Sequence, residues 1–113
     1  MYSKEEFKMA KIINSNEFME KVENTKGVVV VDFFATWCGP CKMLGPVFES
    51  ASKEIGEKAK FFKLDIDESS HIAEKYGIAA VPTMIIFKDG VPVENLAGFM
   101  PQGNITSKVK SHL

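Results

Sequence analysis

The only two thiols of the chain, Cys38 and Cys41, stand in the segment Trp37-Cys38-Gly39-Pro40-Cys41-Lys42, between an apolar run and an amphipathic one. On a helix, positions three apart share a face, so the two sulfurs can meet with little change of backbone. The first of them falls at the start of the helix that the following residues predict. Unpaired backbone N–H groups and the helix dipole there favour negative charge, which lowers a thiol pKa and raises its thiolate fraction. Cys41, one turn inward, is expected to be more buried and less acidic. That asymmetry predicts roles in thiol–disulfide exchange. Cys38 attacks a disulfide to form a mixed disulfide, and Cys41 attacks Cys38 to release the reduced product.

The second step requires a base for the Cys41 thiol. Asp32 is the candidate, as the one charged residue within VVVVDFF, Val28 to Phe34. A carboxylate inside such a run is desolvated, its pKa rises, and it can accept and return a proton near neutrality. The plainer alternative is an Asp near a strand end that reaches water. For the cysteines the alternative is half of a zinc site. Structural zinc needs four Cys or His ligands, and only His71 and His112 remain, far apart in polar helical segments. A site within one chain is therefore disfavoured, while a cluster bridging two subunits stays open. Both histidines read as solvated.

The elements that must position these residues follow from pattern. Asn14 and Glu17 form a capping-box pair, Phe18 and Val22 an apolar helical pair, and Gly27 closes that region. VVVVDFF suits a central strand covered on both faces. Met43, Leu44, Val47, Phe48, Ala51 and Ile55 mark one helical face, with Pro40 in the first turn, Pro46 inside and Gly56 as a stop. Lys60 to Ile66 predicts a strand, Ser69 or Ser70 the cap of a short helix to Tyr76 with Gly77 behind it, and Thr83 to Phe87 a further strand. Asp89-Gly90 signals a hairpin into a strand through Val91 and Val93, which Pro92 confines to a sheet edge. Pro101 opens a last helix with Ile105, Val109 and Leu113 on one stripe. The fold class is therefore α/β. A central mixed sheet, βαβαβ and then a hairpin and helix, has parallel strands in the first part and helices on both faces.

With 113 residues, the chain suits one domain over 1–113. Its 45% hydrophobic and 26% charged residues allow an ordinary apolar core. Fourteen lysines face 15 acidic residues and there is no Arg, which disfavours nucleic acid as a partner and an Arg-rich transit peptide. The first residues hold no apolar signal core, and VVVV and GIAAV are too short to span a bilayer. A soluble, cytoplasmic protein is expected, where a close Cys pair is more often catalytic or metal-binding than a staple. Met9 reads as an alternative start, which makes residues 1–8 a flexible, dispensable extension.

VDFFATWCGPCKMLGP resembles the active-site segment of the thioredoxin family, and the likeness runs from about Ile12 onward through KLDID, YGIAAVPT, IFKDG and the Gly98 region. WCGPC in a βαβ setting is far more specific than a bare C-x-x-C. The resemblance implies a thioredoxin fold and a general protein disulfide reductase, with no cofactor beyond a redox-active Cys38–Cys41 disulfide. It implies recharging by thioredoxin reductase, drawing on NADPH or another donor, and disulfide-containing proteins as substrates. It also implies that Pro82 is a cis-proline facing the Cys pair, with the Val81 backbone available to a substrate chain. Lys63 matches the family lysine near the buried aspartate. By the same resemblance, Trp37, Gly39, Pro40, Ala80, Val81, Gly98 and Phe99 would form an apolar docking surface around the sulfurs. Read alone, Pro82 is a turn proline and Lys63 a surface strand residue. Many members carry a second Trp where this chain has Phe34. No Gly-rich dinucleotide fingerprint occurs, so no nicotinamide or flavin is expected on the chain itself. A monomer is the default. Two alternatives remain: an isomerase or oxidase on the same fold, which a His between the cysteines would favour over Gly39-Pro40, and a non-catalytic binding subunit.

Overall fold

The structure is a computed structural model that describes residues 10–113. The expectations for residues 1–8 and Met9 lie outside the described residues. A five-stranded sheet is built from β1 (Ala10–Ile12), β2 (Val28–Phe34), β3 (Ala59–Asp65), β4 (Thr83–Lys88) and β5 (Val91–Ala97), in the order β1-β3-β2-β4-β5. The helices are α1 (Ser15–Phe18), α2 (Gly39–Ile55), α3 (Ser70–Lys75) and α4 (Gln102–Lys110).

VVVVDFF is the central strand, as its unbroken apolar run requires: β2 pairs with β3 on one side and β4 on the other. Side chains alternate between the two faces. Val28 and Val30 join Phe61, Met84 and Ile86 beneath Leu44, Phe48, Ile55, Ile105 and Val109 of α2 and α4. Val29, Val31 and Phe33 join Ile85 and Phe87 beneath Phe18, Val22 and Ile72. Asp32 thus shares the α2 face of the sheet with Val28 and Val30.

Two topological expectations are corrected. A first strand, β1, was not foreseen; it pairs in parallel with β3 alone. And β4, although it follows a helix, runs antiparallel to β2. The physical reason is length. A 17-residue helix such as α2 rises about 25 Å, enough to return along a seven-residue strand of about 23 Å. The six residues of α3 rise only about 9 Å. The chain therefore stays at the end of the sheet where β3 finished, and β4 sets out from there with Thr83 opposite Phe33.

Local signals otherwise hold. The Asn14 side chain accepts the Glu17 N–H at 2.8 Å and the Glu17 carboxylate accepts the Asn14 N–H at 3.0 Å. Val22 lies in a wider π-helical turn (Met19–Glu23) that continues α1 and ends before Gly27. Gly56 closes α2, which runs through Pro46 without ending. Ser69 occupies the cap position of α3, yet its side chain makes no capping bond. The Asp89-Gly90 hairpin leads into an edge strand that continues past Val93 to Ala97. Gly90 has φ +83°, and a Cβ there would meet the Glu23 carbonyl, so only glycine fits that turn. Two apolar positions are misplaced: Met43 is 64% exposed, and Leu113 lies beyond the end of α4, 49% exposed. His71 is exposed, while His112 is half-buried with Nε2 3.3 Å from Glu94 Oε1.

Candidate active site

The site forms at the end of β2, where the chain leaves the sheet and enters α2. Cys38 is the cap residue of that helix, in extended backbone, and its sulfur accepts the Cys41 N–H at 3.2 Å. Gly39 and Pro40 make the exposed first turn. Proline is tolerated there because that N–H has no intrahelical partner. Cys38 and Cys41 are joined as a disulfide with their Cα atoms 5.2 Å apart.

One expectation fails. Cys41 is not the more buried thiol; each cysteine is 5% exposed. The two cysteines form one buried cluster with Ala35, and Phe34, Ile66 and Val81 pack against it. The difference between them is one of partners. Cys38 Sγ is the helix cap and lies 3.6 Å from the carbonyl oxygen of Val81, whereas Cys41 is inside the first turn.

The Val81–Pro82 peptide is cis, the Val81 carbonyl lies against Cys38, and Pro82 is buried. Gly98, at φ +87°, donates its N–H to the Pro82 carbonyl at 2.8 Å and so ties the end of β5 to this loop. Trp37 stands out from the surface, 68% exposed, and its indole N–H donates to Asp67 Oδ2 at 2.9 Å. Trp37, Ala80 and Val81 line a cleft of about 280 Å³ together with Ile66, Ile78 and Ala79. Phe99 is exposed beyond Gly98. Sequence reasoning missed Asp67, Ile66 and Ile78. They lie inside the quoted pieces KLDID and YGIAAVPT, where an alternating acid and isoleucine gave the only signal.

On the other side of the disulfide a cleft of about 340 Å³ is lined by Cys41, Lys42, Gly45, Lys63 and the Phe34–Thr36 segment. Larger clefts, of about 430 Å³ beside Met100 and about 480 Å³ beside Gly56, hold no cysteine. Asp32 is fully buried, and neither carboxyl oxygen has a hydrogen-bond partner. Burial pushes its pKa up to about 7, against a smaller downward pull from Lys63. Lys63 is its register neighbour on β3, but the ammonium sits 4.9 Å from the centroid of the Phe34 ring.

A CxxC disulfide capping a helix at the end of a central strand, with a cis-proline loop beside it, defines a thiol–disulfide oxidoreductase. A thioredoxin family model matches residues 9–111. Thioredoxins of Staphylococcus epidermidis and Staphylococcus aureus are 45% and 46% identical over 101 residues, 89% of this chain and 95% of each of theirs. The thioredoxin of Bacillus subtilis is 42% identical over 102 residues, 90% of this chain and 98% of that one. Among solved structures, a thioredoxin of Malassezia sympodialis superposes with a TM-score of 0.82 at 41% identity, covering 91% of this chain and 90% of that one. A mutant thioredoxin of Halobacterium salinarum gives the same TM-score and coverage at 33% identity. The chain belongs to the thioredoxin family. It is a protein disulfide oxidoreductase with a redox-active Cys38–Cys41 disulfide, and its partners are disulfide-containing proteins and, in general terms, a reductase.

Proposed function

We propose that this chain is a general protein disulfide reductase in which Cys38 is the nucleophile and Cys41 the resolving thiol. The observation that carries the assignment is the position of Cys38 Sγ, which receives a backbone N–H at the mouth of α2 and faces the Val81 carbonyl at 3.6 Å. In the reduced protein that N–H and the helix dipole favour the thiolate. The Cys38 thiolate attacks one sulfur of a substrate disulfide; the substrate S–S bond breaks, a Cys38–substrate bond forms, and one substrate thiolate leaves. Cys41 gives its proton to the Asp32 carboxylate and attacks Cys38 Sγ. The mixed disulfide breaks, the second substrate thiolate leaves, and two electrons have passed from the Cys pair to the substrate. A carboxyl held near pKa 7 is suited to take and return that proton at neutral pH.

Docking is assigned to Trp37, Gly39, Pro40, Ala80, Val81, Pro82, Gly98 and Phe99. The exposed indole and the apolar cleft between Trp37 and Val81 support this reading. Lys63 acts on Asp32 as the nearby cation. The chain works as a monomeric single domain in the cytoplasm, with residues 1–8 as an extension, and thioredoxin reductase restores its dithiol. No described helix is long and apolar enough to cross a membrane.

The test is the equilibrium reduction potential of the Cys pair, followed by Trp37 fluorescence in graded thiol buffers. A value clearly more reducing than the glutathione pool supports the reductase. A value near that of protein disulfide isomerase, about −180 mV, moves the protein to the isomerase or oxidase class.

A further inference from the structure

Asp32 and Lys63 have every reason to form an ion pair. They are register neighbours on adjacent parallel strands, and alternation puts them on one face of the sheet. A buried carboxylate next to a lysine is ordinarily paired with it. Yet neither Asp32 oxygen has a hydrogen-bond partner, and no ion pair joins the two residues among those described. The ammonium is found instead over Phe34, two residues further along β2 and so on the same face, at 4.9 Å from the ring centroid. A cation over a ring face is held by the ring quadrupole, and the attraction grows when water is excluded. The opposite wall of this seat is α2 at Gly45, where a Cβ would stand 3.9 Å from the Lys63 nitrogen.

We propose that Phe34 is a positioning residue for the proton step: its ring face seats the Lys63 ammonium and so withholds it from the Asp32 carboxylate. The other groups near the carboxyl do not offer a second cation partner of this kind. Its register neighbour on β4 is the apolar Met84. From α2, Cys41 and Lys42 line the cleft that Lys63 also lines, and Lys63 is the charge that acts on Asp32. With the ammonium on the ring, burial dominates the carboxyl and leaves it able to hold a proton near neutral pH. With the ammonium on the carboxylate, the charged form would be favoured and the proton would be held less well near neutral pH.

The inference builds on the proton-carrier reading of Asp32 but is tested apart from it. The Asp32 carboxyl carbon is followed by NMR through a pH titration of the oxidised protein. Phe34→Leu keeps an apolar side chain but removes the ring face, and its midpoint is expected to fall by about one pH unit. Lys63→Gln is expected to raise the midpoint, and the double variant to match Lys63→Gln alone. Phe34→Trp retains a ring face and should keep the unmodified midpoint. Phe34→Met serves as a second ringless variant if the leucine protein does not fold. A midpoint that stays or rises in Phe34→Leu overturns the proposal. So does an equal fall on the Lys63→Gln background, because the cause would then be water entering the cleft. Whether Asp32 carries the Cys41 proton is read separately, from turnover of Asp32→Asn, so either idea can fail without the other.

Discussion

The two sides of the Cys38–Cys41 disulfide differ in the charged groups they carry. On the side of α3, the cleft wall is Trp37, Ile66 and the Ile78–Val81 segment, with an indole standing in water and held by one hydrogen bond to Asp67. On the side of α2 and β3, the wall carries Lys42 and Lys63, and on the same sheet face lies a fully buried carboxyl. The first side is open apolar surface, able to accept many partners because apolar contact is non-directional. The second keeps its carboxyl buried beneath the cleft, and on the proton-step proposal a single cation moved by a few ångströms changes whether that carboxyl holds a proton. On the proposed reading, one disulfide meets varied substrates through one cleft while its proton is handled at a carboxyl buried on the other side.

Substitutions test this division. The largest effect is expected from the cysteines: Cys38→Ser abolishes disulfide reduction, whereas Cys41→Ser still attacks and stalls as a mixed disulfide visible as a covalent adduct by mass spectrometry. Normal product release by Cys41→Ser would end the distinction between the two thiols.

Next is Asp32→Asn. The folded carboxyl titrates at about 7, the unfolded one near 3.8, so folding takes up a proton between these values. Stability therefore falls as pH rises through that window. The ionised carboxyl costs the folded state roughly 4 kcal/mol above pH 7. The variant should be stabilised by up to about that amount at pH 8, with the gain shrinking to nothing near pH 4, while its resolving step slows. Denaturant midpoints across this range give the answer, and a pH-independent gain would contradict it.

The smallest effect belongs to the other cleft. Asp67→Ala removes the acceptor of the Trp37 indole and should raise KM for protein disulfides roughly two- to tenfold with kcat little changed. The Asp32 midpoint should not move. If it does, the two sides are coupled and the comparison is too sharp.

Much of this was legible in the sequence because it rests on local rules. The unbroken VVVVDFF run, the capping box at Asn14 and Glu17, the Asp89-Gly90 turn and the WCGPC segment each state their structure within a few residues. What escaped depends on partners far along the chain. Three residues of β1 carry too little periodicity to register, and β3 supplies their pairing. The direction of β4 depends on how far α3 reaches, not on any residue of β4. Met43 fits the helical period but falls on a face of α2 that the described residues leave exposed. The equal burial of the two cysteines follows from packing by Phe34, Ile66 and Val81, three segments that meet only in the fold. Asp67 gave no sign of its indole partner, because the bond joins residues 30 apart.

Cys38 is both one half of the redox disulfide and the side chain that caps α2. Helix and redox couple therefore share one thermodynamic cycle: the difference in folding free energy between reduced and oxidised chains equals the difference in reducing power between the unfolded and folded Cys pair. A change that frays the first turn of α2 alters the strength of this protein as an electron donor, even where it touches neither sulfur. In electrochemical terms, the 17-residue helix is part of the couple.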